Sequence, residues 1–268
     1  MAAIPKIAAV LVVYKQPIEK TETYRSLLRN ANFSYLVYDN SPEPQSVENN
    51  KGVTYLHNSK NPGVSTAYNE AIKWAKGISA SHLLLLDSDS IFPENSEECY
   101  EKAIAEFPKK LILPSLFSGQ RKISPFYFSK GKSHYGDTIE EGELTLGKQL
   151  AINAGTLLPL CQLRDIRFNE KLPLDWSDVD FFRNLAGTAV EAQHIALTVQ
   201  HGLSEHEERS LASAKFRFEL YLKGISIVSS SVSEKLMMYF WAKLRALKMC
   251  FQYKTPWFLI QFIRNLYA

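Results

Sequence analysis

The chain is short of cysteine, of long apolar runs and of any excess of one charge. Its 268 residues contain three cysteines, Cys99, Cys161 and Cys250, far apart and odd in number. They form no paired spacing, so neither a disulfide framework nor a zinc-ligand set is supported, and a reducing compartment is expected. No stretch is apolar for long enough to span a bilayer. The opening MAAIPKIAAVLVVYKQ has an apolar run from Ile7 to Tyr14 that suits a first strand better than a secretion signal. A cytoplasmic location is therefore expected. Net charge is only +3, which gives no reason to expect a nucleic-acid partner and requires any basic surface to be local. One such surface is visible: after Glu234 no acid occurs, while Lys235, Lys243, Arg245, Lys248, Lys254 and Arg264 alternate with aromatic residues.

What is present is a core-forming pattern, with 46% hydrophobic residues. Ile7 to Tyr14, Tyr35 to Val37 and Val53 to Leu56 read as strands, the second ending at Asp39. Thr21 to Asn30 reads as a helix with a capping threonine. VSTAYNEAIKWAKG reads as a helix after the turn-rich HNSKNPG, with Gly77 as its stop. Leu83 to Leu86 then predicts a central strand covered on both faces. Strands alternating with helices imply right-handed crossovers, hence an α/β fold with a Rossmann-like, mostly parallel sheet flanked by helices. Beyond Leu111 the order is less regular. FYFSKGKSHYG predicts an exposed hairpin or loop, INAGTLLPL a strand with a glycine close to a neighbour, and LDWSDVDFFRNLAG the start of a helix.

LLLLDSDS places Asp87 and Asp89 where the central strand leaves the sheet, the edge at which open parallel sheets bind ligands. Two carboxylates this close resist burial without a cation, and Mg2+ or Mn2+ shared with phosphate oxygens satisfies them. Capping of the next helix is the plainer use of such a pair. Asp175, Asp178 and Asp180 in DWSDVDF supply further carboxylates, one of which suffices as a general base, although acids also favour a helix N-terminus.

VLVVYK, VYDNSP, NPGVSTAYNEAIKWA, LLLLDSDS, INAGTLL, LDWSDVDFFRNLAG and VQHGLS, in that order over residues 6 to 205, resemble a family 2 glycosyltransferase of the GT-A fold. The similarity is greatest to bacterial rhamnosyltransferase-like members. The resemblance implies a domain over residues 1–230, with a nucleotide-sugar half over 1–110 and an acceptor half over 111–230. Residues 231–268 then form a basic, aromatic helical segment that either lies on an anionic membrane or packs on the core. It implies that Val13 and Tyr14 border the nucleotide base and that Asp39 accepts from base or ribose. Asp39-Asn40-Ser41-Pro42 is also good turn chemistry. Asn61, Gly63 and Asn69 correspond to a donor-binding turn and helix start. Asp87 and Ser88 face the donor, and Asp87, Asp89 and His201 hold the metal, with His206 a competing histidine. Asp178 is the implied base, but Ser177 stands where the family usually has an acid, which leaves Asp175 as a stand-in. Arg183 is placed to meet a phosphate or orient an acid.

The implied reaction is metal-dependent transfer with inversion from a nucleotide-diphosphate sugar. The nearest resemblance points to dTDP-rhamnose, with a UDP-hexose as the alternative. The acceptor is an oligosaccharide or polyprenyl-diphosphate-linked glycan of bacterial surface polysaccharide synthesis, met at the cytoplasmic face of the inner membrane. A noncatalytic sugar-nucleotide-binding module is the rival from another class. A nucleotidyltransferase ranks lower, because VVYKQPIEKTET after the first strand has no glycine for a phosphate loop.

Overall fold

The computed structural model describes residues 6–47, 52–136, 139–163, 166–202 and 210–267. The first half runs β1 (Ile7–Val13), α1 (Glu22–Ser26), β2 (Ser34–Asp39), β3 (Val53–His57), α2 (Val64–Gly77), β4 (His82–Leu86), β5 (Ser90–Ile91) and α3 (Ser96–Glu106). The second half runs β6 (Leu111–Ser118), β7 (Arg121–Ser124), β8 (Phe126–Ser129), β9 (Lys132–His134), β10 (Gly142–Leu144), β11 (Gln149–Leu150), β12 (Leu157–Pro159), α4 (Ser177–Leu185) and β13 (Ala192–His201). Three helices follow: α5 (Leu211–Val228), α6 (Val232–Gln252) and α7 (Trp257–Leu266).

The main sheet has the order β10-β13-β6-β12-β4-β1-β2-β3. β1 is parallel to both β2 and β4, and β2 is parallel to β3. The chain thus leaves β1 in one direction, returns through α2, and lays β4 on the other side of β1. Two adjacent parallel strands reached from opposite directions leave a crevice beyond their carboxyl ends. β12 runs antiparallel between β4 and β6, so the sheet beyond β4 is mixed.

Alternation along β4 explains its unbroken leucines. Leu83 and Leu85 enter the cluster beneath α2 with Ala67, Ala71 and Ile72, while Leu84 and Leu86 enter the opposite cluster with Tyr100, Ala103 and Ile104 of α3. All four are fully buried, each contributing about 1.5–3 kcal/mol.

The helix expected from Thr21 to Asn30 is broken. Thr21 does cap it, accepting from Tyr24 N, but α1 ends at Ser26 and a 3-10 turn covers Leu28–Asn30. FYFSKGKSHYG is the β8–β9 hairpin, yet it is not simply exposed: Phe126 and Phe128 are buried, and Gly131 lies so close to Met238 of α6 that a Cβ would stand 2.4 Å from its side chain. In INAGTLLPL the glycine is indeed crowded, with Pro114 Cγ 2.7 Å from where a Gly155 Cβ would lie.

A third apolar cluster joins α5, α6 and α7 through Phe218, Leu222, Ile225, Met238, Ala242, Ala246 and Phe258, and takes in Leu172 from the loop before α4. In packing terms the helical unit therefore begins at α5 and includes residues 211–228 as well as the segment from 231.

Candidate active site

The loop after β4 is held in shape by α1. Glu22 N–H donates to the Ser88 carbonyl (3.0 Å). The Thr23 hydroxyl accepts from Ser90 N–H (3.1 Å) and lies against the Asp87 and Ser90 carbonyls. These bonds use the backbone and leave the Asp87 and Asp89 side chains directed elsewhere. Next, β5 pairs antiparallel with β13 so that His201 lies opposite Ser90. His201 Nδ1 sits 2.9 Å from Ser90 Oγ and 3.5 Å from Asp89 Oδ1. Asp87, Asp89 and His201 each offer a ligand atom within 4.8 Å of the others. Two carboxylates and an imidazole at the solvent edge of a sheet form a donor set that suits Mg2+ or, with its nitrogen, Mn2+. The sequence thus named the three residues that the fold brings together. His206 lies outside the described residues.

Two neighbours of this cluster escaped the sequence reading. Tyr68, in the second turn of α2, donates its hydroxyl to Asp87 Oδ1 (2.9 Å). Burial first, and the nearby Asp87 and Asp178 charges second, hold its phenol well above the usual range, so it stays a donor. A residue early in a helix that follows a strand lies near the sheet's carboxyl edge, and that position was the available signal. Asn153 is the other. Its N–H donates to Asp178 Oδ1 (3.1 Å), and its own buried Oδ1 has no hydrogen-bond partner among the described residues.

Asp178 opens α4 in its first turn. Burial pushes its carboxyl up to about 7, Asp87 adds to the rise, and the Asn153 N–H partly opposes it. That value lies where a general base works best near neutrality. Asp175 differs, because Arg217 of α5 bonds it at 3.1 Å. Ser177, in the place of the family's usual acid, is buried and bonds Ser65 Oγ at 2.9 Å, so this position stitches α4 to α2. Asp180 bonds Asn184 on its own helix.

Several expected donor contacts are engaged inside the protein. Arg183 does not face the cleft: its guanidinium forks onto Glu234 (2.5 and 3.2 Å), donates to the Val228 carbonyl (2.7 Å) and lies over the Phe128 ring. Asn69 spends its amide on Phe168 and Glu170, binding the loop before α4 to α2. The close approach at Gly63 is to Pro173, whose carbonyl accepts from Val64 N–H at 2.7 Å, so the start of α2 holds protein rather than presenting this N–H to a ligand. Asn61 adopts φ 46° in the turn before it and donates its N–H to Asn58.

Asp39 follows its turn reading. It ends β2 beside Val13, at the expected edge, but is fully buried and accepts from Ser41 N, Gln45 Nε2 and the Tyr55 hydroxyl. Val13 is buried as well, whereas Tyr14 is 49% exposed. Beside Tyr14, Lys15, Gln16, Ser41, Pro42 and Gln45 line a cleft of about 380 Å³ between the loops that follow β1 and β2.

No curated protein matches the chain by sequence. Among solved structures, S. aureus TarS 1-349 is similar with a TM-score of 0.57 at 17% identity, covering 97% of this chain and 80% of that one. The same TarS fragment in complex with UDP-GlcNAc aligns with a TM-score of 0.54 at 16% identity, over 89% of this chain and 71% of that one. GalNAc-T7 with UDP, GalNAc and Mn2+ aligns with a TM-score of 0.58 at 11% identity, covering 92% of this chain and 51% of its own. At these identities the likeness is one of fold, and the curled, mostly parallel sheet between helices is the GT-A fold that the sequence resemblance implied. The model of the family described as "Glycosyl transferase family 2" matches residues 10–158, more than half of the sequence, and the chain belongs to that family.

Proposed function

We propose that this protein transfers a sugar from a nucleotide-diphosphate donor to an acceptor hydroxyl, in a single displacement with inversion. The observation that carries the reading is the placement of Asp178, a carboxyl pushed up to about 7, within electrostatic reach of the Asp87, Asp89 and His201 group. The nucleotide base enters the cleft between Lys15 and Gln45, next to Tyr14 and beyond the carboxyl end of β1. The diphosphate then extends toward the carboxyl end of β4, across the crevice between the two strands. A divalent ion held by Asp87, Asp89 and His201 would neutralise the charge that accumulates on the departing nucleotide diphosphate.

The chain's own groups do the rest. Tyr68 fixes one oxygen of Asp87 and leaves the other for coordination. Asp178 accepts the proton of the acceptor hydroxyl as its oxygen attacks the anomeric carbon, and Asn153 N–H orients the carboxylate. The unpartnered Asn153 Oδ1 offers an acceptor for a sugar hydroxyl beside that carboxylate. Asp175, already neutralised by Arg217, serves the loop rather than the proton.

TarS and GalNAc-T7 were crystallised with uridine nucleotides, which supports a nucleotide-sugar donor for this chain. The resemblance of the sequence favours dTDP-rhamnose, with a UDP-hexose as second choice, and a surface-polysaccharide acceptor carried on an oligosaccharide or polyprenyl diphosphate. A donor panel with the purified protein, with and without Mn2+, tests the reading through nucleotide-diphosphate release and thermal shift. Release with at least one donor, lost in Asp178→Asn and Asp89→Ala, is expected. Donor binding without release, at any metal concentration and with any acceptor glycan, would instead identify a noncatalytic binding module.

A further inference from the structure

α6 has two apolar faces, and among the described residues only one has a partner. Met238, Ala242 and Ala246 are fully buried among α5 and α7. Val232, Leu236, Phe240 and Leu244 recur every four residues on another side of the helix, and Phe251 continues the row two turns on. At 100° per residue these five fall within about a third of the circumference, along a helix about 30 Å long. They are between 43% and 83% exposed. α7 adds Ile260 and Ile263, both nearly half exposed. Isolated exposed apolar side chains are ordinary, but a row of this length along one helix marks a contact surface.

Charge identifies the occupant. The last acid of the sequence, Glu234, is taken by Arg183. Beyond it the charges are all positive; Lys243, Lys248 and Arg264 are exposed on the helices that carry the row, and Lys254 is exposed in the turn between them. The β8–β9 hairpin contributes one more, with Lys132 Nζ 4.5 Å above the Trp241 ring. No helix among the described residues is long and apolar enough to cross a membrane. A helix with one face packed on protein, an apolar row on another and only cations around it fits the interface of an anionic bilayer.

We infer that α6, continued by α7, docks the protein on an anionic membrane surface, with Leu236, Phe240 and Phe251 entering the boundary between headgroups and acyl chains. The inference is independent of what the cleft transfers. It is tested with the full chain by co-sedimentation with vesicles of phosphatidylcholine alone or mixed with phosphatidylglycerol. Leu236→Ser/Phe240→Ser/Phe251→Ser removes three of the five side chains of the apolar row, and Lys243→Glu/Lys248→Glu reverses charge and leaves all five in place. The parent is expected to bind mixed vesicles in preference to neutral ones and to weaken with salt. Each variant is expected to bind at least roughly tenfold more weakly, with an unchanged thermal shift from Mn2+ and uridine diphosphate. Three results would overturn the inference: no binding by the parent, equal binding by parent and variants, or a parent dimer that the serine variant splits while vesicle binding is absent. A failed donor screen alongside intact vesicle binding would count against the cleft's reading alone.

Discussion

Burial acts on Asp178 and Tyr68 in the same direction, with different consequences. A phenol held above its usual range stays protonated at any physiological pH, so Tyr68 is a permanent donor to Asp87. Tyr68→Phe should leave the fold intact and weaken Mn2+ binding by about 10–100-fold, the usual cost of losing a group that orients a ligand; calorimetric titration with Mn2+ measures it. A carboxyl raised to about 7 is half protonated near neutrality. As base it must be ionised, so kcat should rise with pH through an ascending limb near 7. More Mn2+ should move that limb down, because a nearby cation favours the carboxylate. The stability sign is opposite: the folded state holds a proton that the unfolded chain releases near 4, so this group's contribution falls as pH rises from about 4 to 7. Asp178→Asn should therefore lose roughly 10²–10⁴-fold in kcat yet melt no lower than the parent at pH 8. A parallel loss of both would show that Asp178 is structural. Asp87 and Asp89 were legible because they end a strand that the pattern of LLLL already gave, whereas His201, at the end of β13, was reached only through the resemblance carried by VQHGLS. Asn69 and Arg183 were misread because their partners, Phe168, Glu170 and Glu234, lie far off in sequence.

At the scale of elements, the loop before α4 decides where Asp178 sits, and α5 decides the loop. Trp176, two residues before Asp178, adopts φ 72°, a left-handed conformation costly for a bulky side chain. It is kept there by Tyr221, which stacks on the indole at 4.9 Å and accepts its N–H at 2.9 Å, and by Gly224, where a Cβ would stand 2.4 Å from the ring. Gly224→Ala should displace the indole and cost about 1–3 kcal/mol, as overpacking does. It should also lower kcat while leaving the KM for the donor unchanged, because Tyr14 and the β4 loop are untouched; steady-state kinetics beside a thermal melt separate the two effects. Nothing local in LDWSDVDF announces this arrangement. The strain is affordable only because residues over forty positions later supply the clamp, and such distant contacts leave no trace in helical or strand periodicity.

For the whole molecule, the sheet was readable because helices separate β1 from β2 and β3 from β4, whereas the extent of the C-terminal unit was not. The composition after Glu234 suggested either a membrane face or a packed helix pair, and α6 carries a packed face and an exposed apolar row on separate sides, which a residue count averages away. The packed face ties this unit to the catalytic half at four places: Glu234 under Arg183, Met238 on Gly131, the Trp241 N–H on the Lys130 carbonyl, and Phe218 and Tyr221 in the cluster that reaches Leu172 and Trp176. Ending the chain at residue 230 would therefore remove more than the exposed apolar row of α6. It removes Met238 and Phe258 and exposes Phe218, side chains worth about 2 kcal/mol each when buried, and it strands Arg183 without its carboxylate. At 2–4 °C per kcal/mol for a domain of this size, the truncated protein should melt at least about 10 °C lower and lose turnover as α5, stripped of α6 and α7, loosens its hold on Trp176. The three serine substitutions on the outer row of α6 should melt with the parent. Scanning calorimetry of the three proteins distinguishes the faces: equal melting of truncated and full chains would mean that α6 and α7 merely rest on the catalytic half and that Tyr221 and Gly224 of α5 hold Trp176 without them.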